Sequence, residues 1–274
     1  MADEGAFETY VGFDSAWTDN PKAPGAICAL VLRAGRPVAF HAPQLASFVE
    51  ALAFVNVVHT PASVTFVALD QPTIVPNATS LRPVERAAAS LISWLGGGVQ
   101  PSNRGRKGMF CDASPIWSFL SSLAAREAPE EARTATSGLY VMEVFPALAL
   151  PSLAPEFFGR LAAPRYNPSR RKTFKHADWQ KVAAAATQQF DGFGFAAPAA
   201  WCRQVEQLPR PRKADQDRLD AMICLLIALH WRLRDRGQSL LLGSLKEGYM
   251  VLPASAEVRS RLEEAARRAG VNAL

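Results

Sequence analysis

The chain has 274 residues, a net charge of +5, 49% hydrophobic and 20% charged residues. That is enough to bury a full core, and it is the balance of an ordinary globular protein rather than a disordered or fibrous one. No apolar run reaches the length needed to cross a bilayer, which excludes a membrane-spanning helix, and the four cysteines (Cys28, Cys111, Cys202, Cys224) form no CxxC pair, which excludes the usual zinc and disulfide frameworks.

The first stretch, Glu8-Thr9-Tyr10-Val11-Gly12-Phe13-Asp14, alternates and then ends on an acid, as a strand whose carboxylate sits at its C-terminal edge. In open α/β sheets that edge is where ligands bind. Gly12, two residues earlier, leaves room for backbone or ligand to come close. The segments 26–33 and 37–40, joined by Ala34-Gly35-Arg36, complete an antiparallel meander. A helix is expected over 47–58, then a buried strand over 64–69 that stops at a second acid, Asp70. Helices follow over 83–95, stopped by Gly96-Gly97-Gly98, and from 115 to about 127 behind Ser114. The strand 139–142 delivers a third acid, Glu143. Residues 147–172 read as Pro-rich and irregular, made of short helical turns and loops, 174–190 as a helix, and 209–213 as a charged linker. A long helix over 215–234 opens on Asp217 and Asp220, which share one face. A strand at 248–253 and an amphipathic helix at 257–269 close the chain. The expected organisation is one domain over 1–274, with an irregular insertion at about 147–212.

Three strands thus end at or beside acids, and one helix presents two more. If Asp14, Asp70, Glu143 and Asp220 converge, uncompensated carboxylates would repel. Hard divalent cations such as Mg²⁺ or Mn²⁺, bound through oxygen, would relieve this, with Asp14 as the ligand shared by two ions. The plain structural reading is that Asp217 and Asp220 only complement a helix dipole and Asp70 only starts a turn. His41, His59, His176 and His230 have no ligand spacing, and no GxSxG is present. Trp17 could pack in the core or stack on a base. Basic loops at 104–107, 165–175 and 203–213 could grip phosphates or merely solubilise the chain.

Val-Gly-Phe-Asp-Ser-Ala-Trp (11–17), Ala-Leu-Asp-Gln-Pro (68–72), Leu-Arg-Pro-Val-Glu-Arg (81–86), Met-Glu-Val-Phe-Pro-Ala (142–147), Asp-Arg-Leu-Asp-Ala (217–221) and Glu-Gly-Tyr-Met-Val-Leu-Pro (247–253) resemble domain-of-unknown-function family 429 in order and over nearly the whole chain. That family is described as predicted nucleases of ribonuclease H-like fold. The resemblance implies an α/β fold with a mixed five-stranded sheet, flanking helices and helical insertions. It also implies a metal-dependent phosphodiesterase site at Asp14, Asp70, Glu143 and Asp220, with Asp217 as a fifth contributor. Arg82, Arg86, Arg104, Arg106, Arg170, Arg171 and Lys172 would then contact the phosphates of DNA or RNA. No early-helix glutamate matches the better-known nucleases of this fold, since Glu50 is not clearly on the sheet-edge side. The alternatives are a non-catalytic nucleic-acid-binding or scaffold protein of the same fold, and a phosphotransferase related to actin-like ATPases. The latter needs glycine loops that Ser15-Ala16-Trp17 does not provide. The acidic start at Met1 to Gly5 lacks the order of a signal peptide, so a cytoplasmic setting is expected.

Overall fold

A computed structural model describes residues 6–274; the acidic start at 1–5 lies outside the described residues. The expected meander forms as β1 (Phe7–Asp14), β2 (Gly25–Arg33) and β3 (Arg36–Ala46). Ala34 and Gly35 both take positive φ, 49° and 72°, which matches the right-handed twist of the flanking strands in a tight hairpin. Helix α1 (Phe48–Val58) is started by a reciprocal cap between Ser47 and Glu50. Glu50 is therefore a capping residue. Strand β4 (Val64–Leu69) lies parallel to β1, and β5 (Gly138–Glu143) parallel to β4. The sheet order is β3-β2-β1-β4-β5, with β1–β3 antiparallel. This is a ribonuclease H-like arrangement.

Side-chain alternation gives the sheet two apolar faces. Phe13, Leu69 and Val141 pack under α1 and α3 (Pro115–Leu123). Tyr10, Ala68, Met142 and Val144 pack under the long helix α8 (Lys213–Leu233). Both faces are covered, so the central strands are nearly continuous hydrophobic runs. Between α3 and α8 come the four-residue α4 (Pro129–Ala132), α5 (Pro146–Leu153), α6 (His176–Gly192) and α7 (Ala196–Glu206).

Four expectations are corrected. The helix from 115 stops at Leu123, because Ala124 turns left-handed (φ 51°). Within 147–212, short helical turns and loops come first and α6 follows, both as expected, but α7 is an unexpected helix. Its apolar positions Ala199, Cys202 and Val205 recur every three residues and are buried. The long helix begins at Lys213, two residues before the expected start. Strand β6 (Ser239–Ser244) was also unexpected; it pairs with β7 (Gly248–Pro253) in a separate two-stranded sheet. That sheet packs with α2 (Pro83–Trp94) and α9 (Ala256–Ala269) around a third apolar cluster. All four cysteines are free thiols, and no helix among the described residues is long and apolar enough to cross a membrane.

Candidate active site

The β1–β4 ladder brings the first two acids together. Phe13 pairs with Leu69, and the Asp70 N–H donates to the Phe13 carbonyl at 2.9 Å, so the ladder carries on past the last paired residues. Asp14 and Asp70 therefore leave neighbouring strands at the same level and on the same side. The loops after the two strands are locked to each other. Ser15 Oγ donates to Gln71 Oε1 at 2.5 Å, and the Trp17 indole donates to the Asp70 carbonyl at 3.0 Å. The Trp17 ring also meets Phe110 edge-on, with centroids 5.3 Å apart.

Helix α8 supplies the third acid, and Gly12 sets how close it comes. A Cβ at position 12 would lie 2.0 Å from the Ala221 carbonyl oxygen and 2.5 Å from the Leu225 nitrogen. The helix backbone thus rests directly on β1, one residue beyond Asp220. Asp220 is buried; Oδ1 accepts from the Tyr166 hydroxyl and Oδ2 from Gln216 Nε2, both at 2.7 Å. One turn earlier Lys213 Nζ donates to Asp217 Oδ1. Lys213, Gln216, Asp217 and Asp220 form two interlocked i,i+4 pairs on one helix face. That spacing is visible in the sequence, yet nothing in it singles out Gln216 or Tyr166, and Lys213 reads there only as part of a basic linker.

These charges act on one another. Burial, then Asp220 and Asp70, push Asp14 well above the usual carboxylate range, against the pull of Lys213. Burial, then Asp220 and Glu143, do the same to Asp70. Asp220 is raised to about 6, chiefly by burial, against Lys213 and the hydrogen bonds from Tyr166 and Gln216. Burial alone would lower Lys213; Asp14, Asp217 and Asp220 outweigh it and hold the ammonium above its ordinary value. As the side chains stand, no three His, Cys, Asp or Glu among the described residues are arranged to hold a metal ion. The donor chemistry does fit a hard dication. It is oxygen-only, it gathers more carboxyl groups than Lys213 balances, and burial and mutual repulsion make those groups resist ionisation.

Glu143 stands at the border of this cluster and not within it, contrary to expectation. Its charge reaches Asp70 and it lines the same cleft, but its register partner is Leu69, not Asp70, so alternation turns its side chain another way. There Arg82 grips both its oxygens, at 2.6 and 2.9 Å. Arg82 also bonds Glu85 Oε1 and the Ile74 carbonyl, each at 2.9 Å, and is wholly buried. Burial pushes Glu143 up to about 7 against the pull of Arg82. The Thr73 N–H donates to Glu143, and the Glu143 N–H donates to the Tyr249 hydroxyl at 3.2 Å. Arg82 is therefore no phosphate contact. It is the centre of a buried ionic knot that ties α2, β5, β7 and the loop after β4 together.

A family model described as protein of unknown function (DUF429) matches residues 12–245. The chain belongs to that family. No curated protein and no solved structure matches it. The DUF429 match takes in Asp14, Asp70, Asp217 and Asp220 together with Arg82 and Glu143, and stops short of the 247–253 segment. The description of the matching model names no activity, so chemistry has to come from the site.

In this DUF429 chain two adjoining clefts lie next to the acids, and Asp70 reaches one of them. That one, of about 200 Å³, is bordered by Trp17, Asp70, Glu85, Glu143, Phe145 and Arg170. The other, of about 250 Å³, shares Gly98, Phe145 and Arg170 with it and extends to Tyr166 and Gln216. Of the basic residues expected at phosphates, exposed Arg170 borders both clefts. Arg171 and Lys172 are exposed beside it. Arg104 stacks on Trp117 at 4.3 Å and bonds the Val75 carbonyl at 2.8 Å, and Arg106 lies against Met109. Arg86 borders a separate cleft with Ser90, Ala265 and Arg268.

Proposed function

We propose that this chain hydrolyses phosphodiester bonds in nucleic acid, DNA or RNA, with Mg²⁺ or Mn²⁺ held by Asp14, Asp70 and Asp220. The observation that carries the reading is the meeting of two strand-end carboxylates with a helix carboxylate on one pleat face, beside a groove edged by Arg170. Such ions, when bound, supply an activated water and balance the charge that develops on phosphorus oxygens. The protein's own part is positional. Asp14 and Asp70 are fixed by the ladder and by the Ser15 and Trp17 clamps. Asp220 is aimed by Tyr166 and Gln216, and Asp217 restrains Lys213. Arg170 offers charge to a phosphate entering the groove. The free thiols suit a reducing compartment, and the cytoplasm is part of the same proposal.

The test is cleavage of single-stranded, duplex, branched and hybrid substrates by purified protein in Mn²⁺. Activity lost in Asp14→Asn and Asp220→Asn supports the reading; all four substrates left intact would sink it. One observation favours a second reading, a non-catalytic nucleic-acid-binding protein: Lys213 already sits among the acids as a built-in counter-ion. That reading requires salt-sensitive binding that survives Asp14→Asn, with no cleavage at any metal concentration.

A further inference from the structure

The larger cleft is lined by a side chain that carries a polar atom without a partner. Gln216 is buried and lines the cavity, and its Oε1 accepts no hydrogen bond. Its orientation is fixed, because Nε2 donates to Asp220 Oδ2 at 2.7 Å. Reversing the amide would set its oxygen against an acceptor. A buried amide oxygen without a donor costs stability unless something entering the cavity supplies one. The side walls are apolar: Phe145, Leu150 and Phe157. Gly97 and Gly98 line it too and add no side chain. At the mouth stand two exposed arginines, Arg165 and Arg170.

We propose that this cavity seats one nucleobase of a nucleotide, with the base edge donating an N–H to Gln216 Oε1 and the phosphate held by Arg165 and Arg170. The volume of about 250 Å³ lies just below the range of about 300–1,000 Å³ usual for drug-sized ligands, which sizes the occupant at a ring system. A flat ring with an apolar face, a donor on its rim and an anion one bond system away matches the walls, the orphaned acceptor and the arginines in turn. The seat also communicates with the acids. Tyr166, which lines it, donates to Asp220 Oδ1, so two of the cavity's polar residues, Tyr166 and Gln216, hold the same carboxylate. The inference deepens the nuclease reading by naming what sits beside its acids, and it rests on that reading for the polymer but not for the binding.

The experiment is calorimetric titration of full-length protein in EDTA with AMP, GMP, CMP and UMP, and with ribose 5-phosphate, which has the sugar and anion but no base. At least one nucleotide is expected to bind, with ribose 5-phosphate about tenfold weaker or worse. Ala163→Phe, which places a ring at the cavity wall, and Gln216→Leu, which removes the acceptor, are each expected to erase most of that difference. Ribose 5-phosphate binding as tightly as every nucleotide, no nucleotide binding at all, or base preference intact in both variants would overturn the proposal. If Ala163→Phe does not fold, Gln216→Leu alone decides. Base-dependent binding without cleavage in Mn²⁺ removes the nuclease reading and keeps the seat. Cleavage with base-blind binding does the reverse.

Discussion

Asp220→Asn should make the metal-free protein more stable at pH 8. In the folded chain Asp220 rises from an ordinary 3.8 to about 6. The folded state therefore holds this proton more tightly than the unfolded chain does. For a raised carboxyl the sign is unfavourable: its cost is absent below the unfolded value, grows as pH rises from about 4 to about 6, and is full above that. A rise of about two decades in proton affinity corresponds to about 3 kcal/mol. Asparagine can keep the bond from Tyr166, and the Gln216 amide can turn to accept from it, so the substitution removes charge without orphaning a partner. For a chain of this size about 3 kcal/mol is worth about 6–12 °C in Tm. The assay is thermal and urea unfolding of both proteins in EDTA from pH 4.5 to 8, read as the difference between them. The gain should be largest at pH 8 and shrink toward pH 4.5. A variant less stable than wild type at pH 8, or a difference that does not vary with pH, would refute the electrostatic account.

Gly12→Ala should cost more than the about 1–3 kcal/mol typical of an overpacked core, because its Cβ meets helix backbone at 2.0 Å and not a flexible side chain; urea midpoints of soluble variant protein check it, and a loss under 1 kcal/mol would mean that α8 does not rest on β1 as described. Arg82→Met should lose about 3–5 kcal/mol by leaving Glu143 and Glu85 buried without their cation, and Arg82→Met with Glu143→Gln should recover part of that. A double variant no better than the single one in denaturant melts would show that the pairing is not what is lost. Lys213→Met should tighten Mn²⁺ binding in calorimetry, since it removes a cation that shares Asp14, Asp217 and Asp220, while lowering metal-free stability at pH 8. Weaker Mn²⁺ binding would make Lys213 a helper of the ion and not its competitor.

The strand ends and the order of elements could be read from alternation and turn residues, because those are local signals. Gly12 was legible as a place of close approach, but not that the visitor is the α8 backbone, some 200 residues on in the sequence. Glu143 was misplaced for a similar reason. Whether an acid at a strand end points up or down depends on its register with β4, and register is set by pairing across long loops. Arg82 looked like a surface cation because arginine is almost never fully buried unless it is paired, and its partners lie in other segments. Helix α7 and strand β6 were missed on weaker grounds. The first hides its period of three behind alanines and a proline, and the second is a leucine run that carries little β preference.

The two charged clusters flank the same strand ends and have opposite economies. At the end of β5 Glu143 meets a fully engaged guanidinium, and the group serves to hold four elements in place. On the α8 side Asp14, Asp70 and Asp220 face one another with a single lysine to offset them, and all three resist ionisation. Stability alone would favour the first solution at both places, and an asparagine or an arginine would supply it. Instead Gly12 lets α8 sit close enough to keep the repulsion in force. A strained charge set built by tight packing, reaching a groove through Asp70 and lacking the compensation that Arg82 gives Glu143, is the pattern expected of a site that waits for a cationic ligand. The sign of the Asp220→Asn stability change at pH 8 tests this directly, because a merely structural acid would be missed when it is removed.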